Sequence, residues 1–139
     1  MSVRILNLDV RAGLKQLASE GFKARVCVTS PPYYGLRTYG VEGQLGLEPD
    51  WREYIANMVE VFSLVRDVLA DDGTLWLNIG DSYNGYMANQ RGTGLETARQ
   101  SSRPYIEPGA GLRSASLKPK DLMLIPERLA IALQESGWW

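Results

Sequence analysis

Apolar and polar positions alternate along the chain in a way that predicts short strands and helices. Val3–Leu8 is predicted to be a first strand, and a helix is expected over Val10–Ser19 with Leu14 and Leu17 facing inward. Ala24–Thr29 is a continuous run of apolar and β-branched residues that stops at a pair of prolines. Such a run is typical of a strand that is buried on both faces of a parallel sheet.

The clearest helical pattern begins at Asp50 and reaches Leu69. Asp50 with Glu53 three residues later resembles a capping box, and Asp71-Asp72-Gly73 is the expected stop signal. The apolar residues recur every three or four positions and form one stripe, which is expected to face the core: Trp51, Tyr54, Ile55, Met58, Phe62, Val65 and Leu69.

The remaining pattern adds one strand and one helix. Thr74–Ile79 is predicted to be a strand, and Asp121–Ser136 a helix whose main part begins near Pro126, because proline is tolerated in a first turn. Gly137 is expected to end this helix. The alternation of strands and helices favours an α/β fold with a parallel sheet.

In a parallel α/β sheet, ligands bind at the carboxyl ends of the strands. The polar residues at those predicted ends are Asp9, Ser30 with the residues that follow it, and Asn78 with Asp81. These positions are therefore the candidates for chemistry.

The composition excludes several kinds of function. The chain has 139 residues, 45% hydrophobic and 22% charged, which is the range of an ordinary globular domain. It contains one cysteine and no histidine, which excludes an internal disulfide, a histidine base and a histidine metal site, and no metal is predicted. The N-terminus has no apolar signal region and no apolar run reaches membrane-spanning length. A cytoplasmic protein without membrane contact is the expectation.

Positive charge is concentrated in one segment. The whole chain has a net charge of −1, which excludes a strongly basic coat for nucleic acid but leaves room for a local basic patch. Residues 84–120 are rich in Gly, Ser and Pro and are predicted to form a long mobile loop. This loop is either a solvated insert or a surface that contacts DNA through its basic residues, which are Arg91, Arg99, Arg103, Arg113, Lys118 and Lys120.

The string TSPPYYG, from Thr29 to Gly35, is the strongest chemical signal. Here the sequence resembles the amino-methylating DNA methyltransferases, which act on cytosine N4 or adenine N6. Their motif is Ser, Asp or Asn, then Pro-Pro, then an aromatic residue, after a buried strand, and Ser30-Pro31-Pro32-Tyr33 matches it in full. Leu75–Tyr83 and Lys118–Trp139 are similar to the blocks that follow in the branch where this motif comes early. The resemblance thus covers nearly the whole chain.

The resemblance implies a fold, a reaction and a cofactor. The fold is a partial Rossmann-like, S-adenosylmethionine-dependent methyltransferase sheet with flanking helices, and the substrate is a base flipped out of double-stranded DNA. Ser30 Oγ and the Pro31 carbonyl are the candidate acceptors for the two hydrogens of the exocyclic amine, which makes its nitrogen more nucleophilic. Pro31 and Pro32 stiffen this acceptor pair, and Tyr33 is expected to stack on the base. The leading serine favours cytosine N4 over adenine N6.

Several other residues have both a functional and a structural interpretation. Asp9 is expected from the resemblance to accept a hydrogen bond from the adenine amine of the cofactor, or it caps the helix that follows. Asn78 and Asp81 are assigned to the base pocket, although Gly80-Asp81 also fits a turn. Cys27 lies in the middle of a strand and is interpreted as a small core residue rather than a nucleophile.

The sequence also departs from the family pattern. The glycine-rich cofactor motif, an aromatic residue followed by Gly-x-Gly, is absent from the 139 residues. Residues 1–139 are therefore expected to be the N-terminal part of a methyltransferase catalytic domain, inactive and without useful S-adenosylmethionine affinity when alone, and to self-associate. The alternatives are an inactive DNA-binding or regulatory fragment and, for Pro31 to Tyr34, an exposed PPxY ligand. A ligand of that kind does not normally follow a buried strand.

Overall fold

The computed structural model describes residues 3–85 and 114–139, in which the backbone forms three helices and two strands. In chain order these are α1 (Val10–Ser19), β1 (Ala24–Thr29), α2 (Trp51–Val68), β2 (Leu69–Leu77) and α3 (Ile125–Glu135). The bounds of α1 and β1 agree with the prediction, and Asp50 caps α2 by accepting a hydrogen bond from the backbone N–H of Arg52. No helix in the described ranges is long and apolar enough to cross a membrane.

The two strands pair in parallel, which confirms the predicted strand direction. Cys27 is paired with Leu75 and Thr29 with Leu77, and the backbone N–H of Asn78 donates to the Thr29 carbonyl at 2.9 Å. The carboxyl ends of β1 and β2 therefore lie side by side. An α/β arrangement is confirmed, whereas two strands do not establish the strand order of a Rossmann-like sheet.

The core lies between the helices and one face of this sheet. The predicted stripe of α2 is buried at Tyr54, Met58 and Phe62, and it packs with Ile125 and Leu129 of α3. Cys27, Leu75 and Leu77 of the sheet pack against the same cluster. Burial raises the pKa of the Cys27 thiol, as suits a residue that packs rather than reacts.

The opposite face of the sheet corrects the prediction that β1 is buried on both faces. Val26, Val28 and Trp76 are 54%, 77% and 65% exposed. Side chains alternate between the faces of a strand, so these three residues share the face that α2 and α3 leave uncovered. The apolar run correctly predicted a strand but not what covers it.

The predicted first strand, Val3–Leu8, is also wrong. Its backbone is not in a strand, and the Val3 and Ile5 side chains are 89% and 87% exposed. An extended apolar segment becomes a strand only when a neighbour satisfies its backbone groups. In the described parts of the chain, β1 pairs with β2 alone.

The bounds of β2 and α3 also differ from the prediction. β2 starts at Leu69 rather than Thr74, and the predicted turn Asp71-Asp72-Gly73 becomes an irregular part of the ladder between the pairs Ala24–Leu69 and Val26–Thr74. α3 starts four residues later than Asp121. The residues before it are drawn into tertiary hydrogen bonds, of which one joins the Met123 N–H to the Ser82 carbonyl at 2.8 Å.

Candidate active site

The Ser30-Pro31-Pro32-Tyr33 motif begins where β1 ends. Ser30 is exposed, and its hydroxyl donates to the Tyr33 hydroxyl at 3.2 Å. A hydroxyl that donates its hydrogen still has lone pairs with which to accept. Ser30 Oγ is therefore available to a donor such as an amine.

A buried tyrosine of α2 holds the backbone of this motif. The Tyr54 hydroxyl donates to the Pro32 carbonyl at 2.8 Å, and the Tyr54 side chain is fully buried. Burial is the main reason why the pKa of Tyr54 is raised, with Glu48 as a second cause. Tyr54 therefore stays neutral and acts as a hydrogen-bond donor to the motif.

The loop after the motif folds back onto it at Gly46. The N–H of Gly35 donates to the Gly46 carbonyl at 2.7 Å. Gly46 has a φ of +93°, and a Cβ there would lie 2.8 Å from the Tyr33 carbonyl oxygen. Both the backbone conformation and the close approach therefore require glycine at this position.

A buried carboxylate ties this loop to α2. Glu48 is 7% exposed, and its two oxygens accept from the Gly46 N–H at 2.8 Å and from Asn57 Nδ2 at 3.0 Å. A buried charge is tolerated when such bonds satisfy it. The sequence analysis missed Glu48, Gly46 and Tyr54, because no local pattern distinguishes them from ordinary loop and core residues.

The motif also borders a cavity of about 200 Å³. Leu36, Arg37 and Tyr39 complete its lining together with Ser30, Pro31 and Tyr33. In the described residues the Arg37 guanidinium has no hydrogen bond or ion pair, and it is exposed beside Ser30. Arg37 and Tyr39 follow the motif closely along the chain, and this proximity was a signal in the sequence, but neither residue was predicted to belong to the site.

Gln44 holds the part of the loop that carries Arg37 and Tyr39. Its Nε2 donates to the Arg37 carbonyl at 2.7 Å, and its Oε1 accepts from the Tyr39 N–H. The side-chain amide of Gln44 thus takes the place of a backbone partner for both groups. The cavity wall is therefore held by hydrogen bonds although it lies in a loop.

Asp81 and Asn78, assigned to the base pocket from the sequence, do not line this cavity. Asp81 accepts from the backbone N–H groups of Leu124 and Ile125, both at 2.9 Å, and so holds the start of α3. Asn78 borders a different groove of about 1010 Å³, which runs along β2, α3 and the terminal tryptophans. The structure brings Ser30, Pro31 and Tyr33 together, and a base-pocket role for Asn78 or Asp81 stays a prediction.

Asp9 occupies the helix-capping position that was its structural interpretation. It is exposed and accepts a hydrogen bond from the Arg11 N–H at 2.9 Å at the start of α1. A carboxylate has further lone pairs, so capping does not prevent another contact. Its role at the cofactor adenine stays a prediction.

The basic segment is described only at its ends. Lys118 and Lys120 are exposed, whereas Arg91, Arg99, Arg103 and Arg113 lie outside the described residues. Asn84 is 2% exposed and joins the two ends: its Oδ1 accepts from the Ser114 N–H at 2.8 Å, and its Nδ2 donates to the Leu117 carbonyl at 2.7 Å. The predicted DNA contacts of these six basic residues are not tested by this geometry.

Comparisons with known proteins agree with the motif. The sequence model of the DNA methylase family, which groups N6 and N4 methyltransferases, matches residues 24–139. No solved structure matches the chain.

Curated relatives match almost the whole chain but only part of their own length. The type II methyltransferase M.XycI of Xanthomonas campestris pv. cyanopsidis is 48% identical over 94% of this chain and 41% of its own length. The type II methyltransferase M.SmaI of Serratia marcescens is 45% identical over 99% of this chain and 45% of its own length. The chain therefore spans less than half of these relatives.

Proposed function

Because this chain belongs to the N6/N4 family of DNA methyltransferases, we propose that its motif binds a base flipped out of double-stranded DNA and prepares the exocyclic amine for methylation. Cytosine N4 is the favoured target over adenine N6, because serine leads the motif. The observation that carries the proposal is the exposed Ser30 hydroxyl beside a cavity lined by Pro31 and Tyr33. The relatives are named type II methyltransferases, so the proposal includes a role in a restriction-modification system.

The chemistry of the amine side follows from the acceptors. The lone pair of an exocyclic amine is delocalised into the ring, so the nitrogen is a poor nucleophile. When Ser30 Oγ and the Pro31 carbonyl accept both N–H groups, the nitrogen moves toward a tetrahedral geometry and its lone pair becomes available. Bound S-adenosylmethionine would supply the methyl group: the new N–C bond would form as the methyl–sulfur bond breaks, S-adenosylhomocysteine would leave, and the nitrogen would lose one proton to solvent water. This mechanism needs no histidine base and no covalent intermediate.

S-adenosylmethionine is the methyl donor that family membership implies. The described residues offer it Asp9, an exposed carboxylate that already caps α1. The glycine-rich cofactor motif is absent from the 139 residues, and the described residues account for the amine side of the reaction only. We therefore expect the 139-residue chain not to bind S-adenosylmethionine with useful affinity; calorimetric titration that finds micromolar binding would contradict this.

Two further partners are part of the proposal. Double-stranded DNA is expected to contact the basic segment, including the exposed Lys118 and Lys120. A second copy of the chain is expected to bind at a sheet edge or at the C-terminal helix. The exposed sheet face formed by Val26, Val28 and Trp76 supports self-association, because exposed apolar patches favour it. Sedimentation over a range of concentrations tests this association, and a monomer at the highest concentration would exclude it.

The direct test is methyl transfer by a chimera in which this chain replaces the matching segment of M.SmaI. We expect labelled methyl groups from S-adenosylmethionine to enter DNA, and nucleoside separation to identify N4-methylcytosine. N6-methyladenine would change the target but not the reaction class. DNA binding without methyl transfer would instead support the alternative of an inactive DNA-binding fragment.

A further inference from the structure

Gly80, three residues after the end of β2, leaves space that the Tyr33 ring uses. A Cβ at this position would lie 2.9 Å from Tyr33 Cε2, a distance that real Cβ atoms essentially never show, and 3.0 Å from Tyr33 Cδ2, which is tighter than most real Cβ contacts. The φ of Gly80 lies outside the left-handed region. The backbone would therefore accept alanine here, and only the Tyr33 ring opposes it.

The position of this ring determines what the ring does at the site. Tyr33 accepts the Ser30 hydroxyl hydrogen at 3.2 Å and lines the cavity next to Ser30. If the ring moved outward, this hydrogen bond would lengthen and the cavity would change shape. On its backbone side, Tyr33 is already held by the close approach of Gly46.

We propose that Gly80 is a positioning residue of the base site. The absence of a side chain at Gly80 lets the Tyr33 ring approach the loop after β2 closely enough to accept the Ser30 hydroxyl hydrogen, which leaves the Ser30 lone pairs for the amine. The same placement determines where Tyr33 can stack on the base. This inference rests on the proposed function, and it adds a residue from the loop after β2 to a site otherwise built by the end of β1 and its loop.

The first measurement follows the Tyr33 ring in the chain itself. The protein is labelled with fluorotyrosine, and the fluorine resonance that disappears in Tyr33→Phe identifies Tyr33 among the seven tyrosines. We expect Gly80→Ala to shift that resonance. Gly13→Ala is the matched control, because a Cβ at this buried helical glycine meets its nearest atom, Leu6 Cδ1, at 3.9 Å.

A second measurement separates positioning from simple destabilisation. Deoxycytidine is added to the labelled chain, and the Tyr33 resonance is expected to respond in the unsubstituted protein and in Gly13→Ala but less in Gly80→Ala. If Gly80→Ala fails to fold, a double variant that also carries Tyr33→Ala lacks the clashing ring and is expected to fold. Failure of the double variant to fold would overturn the assignment of the clash to Tyr33.

The rate measurement uses the M.SmaI chimera. A displacement of about 1 Å in a reacting geometry costs on the order of 10²-fold in rate, so we expect Gly80→Ala to lower kcat by about that factor with a smaller change in KM. In a Tyr33→Ala background, Gly80→Ala is expected to have little additional effect.

The outcomes for the two proposals are distinct. The positioning role would be overturned if Gly80→Ala matched Gly13→Ala in three measurements: the Tyr33 resonance, its response to deoxycytidine and the rate of methyl transfer. That result would leave the proposed function intact. A Tyr33 resonance that does not respond to deoxycytidine in the unsubstituted chain would also overturn it. The proposed function fails separately, if Ser30→Ala leaves methyl transfer unchanged.

Discussion

The carboxyl ends of β1 and β2 lie side by side, yet their polar side chains are used differently. At the end of β1, the Ser30 hydroxyl is exposed, and no described residue donates a hydrogen bond to it. At the end of β2, the Asp81 carboxylate accepts three backbone N–H groups, from Ser82, Leu124 and Ile125. A hydroxyl to which no described residue donates is available for chemistry, whereas a carboxylate that accepts three backbone N–H groups holds the fold together.

The surroundings of the two ends reinforce this contrast. The two side chains that hold the loop around Ser30 are buried: Tyr54 is 0% exposed and Glu48 is 7% exposed. Tyr54 and Glu48 keep the motif in place, while the Ser30 hydroxyl faces solvent. Asp81 instead has a structural role, since it fixes where α3 begins.

Substitution of Ser30 should show the largest effect and only on the reaction. Ser30→Ala in the M.SmaI chimera removes one of two amine acceptors, so single-turnover methyl transfer is expected to fall about 10²–10³-fold. The unfolding free energy should change little, because the Ser30 hydroxyl is exposed and bonds only the Tyr33 hydroxyl among the described residues. Ser63→Ala, which removes a hydroxyl that bonds the Val59 carbonyl within α2, is the control. A rate within a few-fold of the unsubstituted chimera would end the assignment of Ser30.

Substitution of Asp81 should show the opposite behaviour. Asp81→Ala leaves the N–H groups of Leu124 and Ile125 without their acceptor at the start of α3, and Ile125 is fully buried. We expect the free energy of unfolding of the chain to fall by about 2 kcal/mol. Urea denaturation measures this loss, and Asp71→Ala at an exposed position of β2 should change stability by less than about 0.5 kcal/mol. Equal losses for both variants would mean that Asp81 does not hold α3.

Two neighbouring tyrosines differ in whether their hydroxyl groups have a hydrogen-bond partner among the described residues. Tyr34 and Tyr54 have ring centroids 5.4 Å apart, but Tyr54 bonds the Pro32 carbonyl, whereas the buried Tyr34 hydroxyl has no partner among the described residues. Tyr54→Phe is expected to lower the free energy of unfolding by about 1 kcal/mol, and Tyr34→Phe to leave it unchanged or raise it slightly. Urea unfolding of the two variants checks this order. The reverse order would contradict the role of Tyr54 in holding the motif.

Prediction from sequence succeeded where the signal was local. α1 and β1 have the predicted bounds, and α2 differs by one residue at each end, because apolar spacing and the Asp50 cap act within a few residues. The Ser30–Tyr33 motif was found for the same reason. Prediction failed at Val3–Leu8, since an apolar segment alone does not show whether a neighbouring strand is present to pair with it.

The sequence by itself determined α1, β1, α2 and the identity of the motif, because each depends on residues close together along the chain. The alternation of strands and helices also predicted the parallel α/β arrangement. Only the tertiary structure decided that Asp81 holds α3, that Tyr54 supports Pro32, and that Gly80 makes room for Tyr33. These contacts join residues more than twenty positions apart, and a hydrogen bond or a steric limit between such residues exists only once the backbone has brought them within a few ångströms of each other.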